Sequence, residues 1–168
     1  MLRRSSPNWR AAIYAGIAAG IIATVIQILL WWAFRDVLPW IVYRDARLTA
    51  AMVLGRGVLA PPASFDWMVM CVATAIHFAL SIIYSLVLAW FISRCGLLFA
   101  LLAGVVYGLV LYGINMYGFT LLFPWFAEVR DWITVATHTA FGISAAGIYK
   151  VLSGADDRNS KGDGIKPP

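Results

Sequence analysis

Four stretches of this 168-residue chain, 11–34, 67–92, 97–123 and 132–152, are apolar for roughly 20 residues or more and carry no charge in their central parts. Apolar runs of that length suit the hydrocarbon core of a bilayer, where only a helix can satisfy every backbone polar group from within its own segment. Composition agrees, with 62% of residues hydrophobic and 12% charged, against about 25% charged in a soluble domain. The expectation is an all-α integral membrane protein with four transmembrane helices and a solvated tail over 153–168, disordered because it holds almost nothing apolar.

Basic residues orient these windows. Arg3, Arg4, Arg10, Arg94 and Lys150, with the charges of the tail, give net +5 on one side, while the opposite side sums to zero. The positive-inside rule then puts both termini in the cytoplasm. Trp9, Trp31, Trp32, Trp67, Trp90 and Trp132 fall near window ends, where an indole buries its ring and keeps its N–H near water. The first window is longer than a signal-peptide core and reads as an anchor. Because the positive charge sits where membrane insertion requires it, nucleic acid is not an expected partner. The bilayer is, with a second copy of the chain or a membrane subunit as the protein partner.

The chain also repeats. Gly16, Gly20 and Gln27 align without a gap on Gly104, Gly108 and Asn115, and Asp66-Trp67 with His77 parallels Asp131-Trp132 with His138. Pro39-Trp40 with Arg44-Asp45 recurs as Pro124-Trp125 with Arg130-Asp131. These matches predict a tandem 2+2 repeat of helix pairs, related by a pseudo-twofold axis along the membrane normal. The two Gly-xxx-Gly motifs are helix-packing residues, since a missing side chain lets two backbones approach. Between the first two windows, Pro39 opens and Gly55 closes a short amphipathic helix, with Ile41, Val42, Leu48 and Met52 on one side and Arg44, Asp45 and Arg47 on the other. Asp66 and Asp131 are placed to cap the helices that follow them.

Polar residues inside the windows are the candidate site. Gln27, His77, Asn115 and His138 all lie roughly 9–15 Å below the same surface, counted at about 1.5 Å per residue. Thr74, His77 and Ser81 share one helix face, as do Thr134 and His138. Polar groups in lipid turn inward, so Gln27, His77, Asn115, His138, Thr74 and Ser81 are expected to line one ligand-binding pocket beneath the first loop; a purely structural hydrogen-bonding role is the alternative. No nucleophile stands beside a base and acid, no carboxylate pair lies in the windows, and no Cys/His spacing suggests a metal, so neither catalysis nor a cofactor is expected.

The order His77-Phe-Ala-Leu-Ser-Ile-Ile-Tyr84, Gly104 and Gly108, Phe123-Pro124-Trp125 and His138-Thr-Ala-Phe-Gly142 resembles the YagU-like family of small bacterial inner-membrane proteins over about residues 66–150. That resemblance implies a four-helix bundle in the inner membrane and no established chemistry. The expected function is non-enzymatic binding of a small ligand, a lipid or a partner subunit. A small oligomeric transporter or channel is the first alternative, and a redox module with haem between His77 and His138 the second.

Overall fold

The computed structural model describes residues 7–35 and 37–162. Five α-helices make up most of it: α1 (Trp9–Phe34), α2 (Trp40–Leu54), α3 (Trp67–Ile92), α4 (Leu97–Gly113) and α5 (Trp132–Gly162). α4 continues through a π turn, Ile114–Gly118, and a 3₁₀ turn, Phe119–Leu121; further 3₁₀ turns cover Arg56–Leu59 and Pro124–Val129. By length and composition α1, α3 and the run Leu97–Leu121 are apolar enough to cross a membrane. α5 is not in that set, because Thr134, Thr137, His138, Thr139, Tyr149 and Lys150 dilute its apolar residues.

Helix ends follow local chemistry. The side chains of Asn8, Asp66 and Asp131 accept hydrogen bonds from the amides of Ala11, Val69 and Thr134, each satisfying one orphan donor of a first turn. Gly55 ends α2 at φ +82°, a left-handed conformation that favours glycine, with its N–H on the Ala51 carbonyl. α5 runs on to Gly162, through the first ten residues of the expected tail. Residues 163–168 of the expected tail, with Arg3, Arg4 and Asp36 of the charge count, lie outside the described residues.

α1 lies between α3 and α5, and α5 between α1 and α4. The Gly-xxx-Gly motifs are where the pairs close. A β-carbon at Gly16 would come within 2.8 Å of the Ser81 carbonyl oxygen, and one at Gly20 within 2.9 Å of the Ser81 hydroxyl and 3.2 Å of His77 Nε2. In α4 a β-carbon at Gly104 would collide with the backbone of Gly142, and one at Gly108 with the backbone of His138 and Thr139. The register is the same in both pairs: the first glycine meets the position four after the histidine, and the second meets the histidine.

The other interfaces break that symmetry. α1 and α5 pack along their length, with Ala11, Ala15 and Ala19 buried in one cluster with Ala145, Ala146 and Tyr149. α3 and α4 scarcely touch. Small side chains bring the first two together, whereas Tyr84 and Tyr107 stand between the second two, with the Tyr107 hydroxyl donating to the Tyr84 carbonyl at 2.8 Å.

α2 lies across one end of the bundle. It buries Ile41 with Trp31 and Ile133, Leu48 with Met116 and Phe126, and Ala50 with Val69 and Ala73. Arg47 donates to the carbonyls of Val58 and Ser64, and Trp125 Nε1 donates to the Leu48 carbonyl at 2.8 Å. These bonds fix α2 to the segments on both sides of it.

Candidate functional site

Beneath α2 the helices part around a cavity of about 390 Å³, adjoined by a second of about 200 Å³. Gln27, His77 and His138 line both; Thr74 lines the first, Asn115 and Ser81 the second. The six expected site residues therefore sit on two joined cavities rather than one. Of the packing glycines, Gly20 and Gly108 lie against His77 and His138, and Gly16 and Gly104 sit one turn farther along the same helices.

The two histidines are wired differently. His138 Nδ1 is 2.8 Å from the Thr134 carbonyl, which can only accept, so Nδ1 carries the proton and Nε2 is the acceptor. Asn115 Nδ2 donates to that Nε2 at 3.1 Å, and the Tyr84 hydroxyl donates to Asn115 Oδ1 at 2.7 Å. Both ring nitrogens are thus engaged in a closed chain of donors and acceptors. The amide that completes it stands in the π turn after α4. Arg130 holds that turn, donating to the Met116 carbonyl at 2.7 Å and to the Thr120 hydroxyl, with its guanidinium over the Tyr117 ring.

His77 instead reaches across to α1. The Thr24 hydroxyl donates to the Gly20 carbonyl, and His77 Nε2 lies 3.3 Å from both oxygens. Neither has a proton left to give, so Nε2 is the donor and Nδ1 keeps a lone pair with no hydrogen-bond partner among the described residues. The amide of Gln27, the counterpart of Asn115, and the hydroxyl of Thr74 make no hydrogen bonds among the described residues either. Ser85 is used structurally, its hydroxyl donating to the Ala12 carbonyl at 2.8 Å.

One wall residue changes the electrostatics. Asp45 lines the larger cavity together with Val42, Ala46 and Thr49, which follow one another at helical spacing. The expectation that Asp45 lies on the outward face with Arg44 and Arg47 is corrected. α2 is wedged between α3, the end of α1 and the Pro124–Val129 turn, so it buries more than one stripe. Arg44 Nε and Nη2 both donate to Asp45 Oδ1, at 2.9 and 2.7 Å, leaving Oδ2 without a hydrogen bond among the described residues. Burial raises the Asp45 carboxyl to about 6, against the lowering effect of Arg44. The periodicity of α2 held the signal, since Val42, Asp45 and Thr49 are spaced at i, i+3 and i+7; what could not be read was which stripe would face the bundle.

The larger cavity opens sideways. Ile21 and Val25 of α1, 50% and 49% exposed, line it opposite Thr74 and Phe78 of α3. Ile21, Val25 and Thr74 are exposed lining residues, which puts the mouth between α1 and α3. Each histidine Nε2 faces protein partners. No family model matches the chain, and no curated protein or solved structure matches it either.

Proposed function

We propose that this chain is a non-enzymatic, small-ligand-binding protein of the bacterial cytoplasmic membrane, with four spans arranged as a 2+2 repeat and both termini inside. The observation that carries the binding role is the larger cavity, where Gln27, Thr74, His77 Nδ1 and Asp45 Oδ2 offer hydrogen-bonding capacity that no described protein group uses. A ligand that met these groups would make hydrogen bonds that no described protein group makes. A volume of 390 Å³ is within the range of roughly 300–1,000 Å³ that accommodates small organic ligands.

The fourth span and the repeat rest on the shared glycine register and on the way α5 handles its polar residues. Thr137 and Thr139 donate to carbonyls of their own helix, and His138 is fully bonded, so the segment can lie in lipid at small cost. The YagU-like reading belongs to the same proposal and rests on the order of its sequence motifs. Orientation rests on the charge difference: a cysteine placed at Gly57 should react with an impermeant maleimide in intact cells, and one at Gly154 should not. Labelling at Gly154 would reverse the topology. For the binding role, Thr74→Trp fills the mouth from an exposed position and should abolish binding of a small amphiphile such as octanol without loss of folded protein. Unchanged binding would remove the cavity as the site.

A further inference from the structure

Resting on the cavity as a binding site, we propose that it selects a lipophilic amine, with the ammonium group held at Asp45 and the apolar body lying between α1 and α3.

The charge on the walls gives the sign. Asp45 is the one Asp, Glu, Lys or Arg side chain among the described residues that lines either cavity. Arg44 is spent on Oδ1 and leans over the Trp40 ring, 5.6 Å from its centroid, and Arg130 is held by Met116 and Thr120. The oxygen left on Asp45 is an acceptor. So is His77 Nδ1, and Gln27 adds an amide oxygen. A wall of acceptors with one carboxylate matches a ligand that brings several N–H donors and a positive charge, which an ammonium does and a carboxylate or phosphate does not. Trp31, Phe78 and Phe126 supply aromatic faces to the same space, favourable for a cation.

The route gives the body. Since the mouth lies between the half-exposed Ile21 and Val25 and the α3 face, a ligand arriving there comes along the apolar flank of two helices that are each long and apolar enough to cross a membrane. An amphiphile with an alkyl or aryl body can occupy that gap while its head reaches inward.

The test is calorimetric titration of the full chain in maltoside micelles, against protein-free micelles, with octylammonium, octanol and octanoate. Octylammonium should bind about tenfold more tightly than octanol, and octanoate most weakly. Asp45→Asn should erase the difference between octylammonium and octanol while keeping octanol binding. The carboxyl of Asp45 titrates at about 6, beside Arg44 and Asp131 and across the cavity from His77 and His138. An amine stays charged throughout this range, so its affinity should rise about tenfold from pH 5 to pH 7 and level off above, as the carboxylate forms. The Asp45→Asn protein should lose that rise, which separates Asp45 from the histidines. If octanoate binds best, or the preference survives Asp45→Asn, the amine assignment is overturned. Octanol binding that Thr74→Trp removes would then leave the cavity standing as a site. Absence of binding by all three would overturn both.

Discussion

In the first helix pair, α1 with α3, the second glycine faces the tip of a histidine; in the second pair, α4 with α5, it faces the histidine's backbone. That difference runs through everything around the two imidazoles. His138 bonds to its own helix through Nδ1 and to Asn115 through Nε2, and the chain extends to Tyr84. His77 points at Gly20 and Thr24 of the neighbouring helix, leaving Nδ1 and the equivalent amide, Gln27, open to the cavity. Asn115 is one methylene shorter and sits in a π turn, a distortion that often marks functional positions, whereas Gln27 lies in regular α-helix. Two pairs with one backbone register can therefore hold one saturated polar network and one unsaturated one.

The glycines break the comparison most severely. Gly108→Ala places a methyl against the backbone of His138 and Thr139, which cannot rotate away, and should cost about 3 kcal/mol, at the upper end of overpacking penalties. Gly20→Ala meets the ends of the Ser81 and His77 side chains, which can shift, and should cost nearer ~1 kcal/mol. Thermal inactivation or steric-trap unfolding of the two variants would measure this. Equal penalties would mean that the two pairs close equally tightly.

A smaller effect separates the amides. Asn115→Leu strands the Tyr84 hydroxyl and His138 Nε2 and should lower stability by ~1–2 kcal/mol, the usual worth of an intramembrane hydrogen bond. Gln27→Leu removes no hydrogen bond among the described residues, so its stability should stay within about 0.5 kcal/mol of the parent, as for a change that breaks no named interaction, while ligand binding weakens. His138→Leu removes the two shorter bonds, to Thr134 and Asn115, and should cost more than His77→Leu, which removes only the 3.3 Å contacts to Gly20 and Thr24. A Gln27 variant as unstable as Asn115→Leu would show that the first pair also carries a closed network.

Helix positions, the caps at Asp66 and Asp131 and the limits of α2 at Pro39 and Gly55 were legible because each depends on chemistry within a few residues. The Gly-xxx-Gly spacing was legible too, and both motifs lie at close helix contacts, where a side chain would collide. Depth along the helices placed the histidines and amides near one another, because rise per residue converts sequence distance into height.

Rotation about each helix axis, and which helices meet, was decided only by packing. The inward turn of Asp45 depends on three neighbours of α2 that are distant in sequence. The close fit of α1 on α5, and the gap held open by Tyr84 and Tyr107 between α3 and α4, depend on how alanine-lined and tyrosine-bearing faces compete for contact. The sequence determined where apolar helices begin and end, which of their positions are small and how deep their polar groups lie. Only the tertiary structure decided which polar groups bond to one another and which are left facing a cavity, because a hydrogen bond needs its partner within about 3 Å and that distance is set by contacts between segments far apart in the chain.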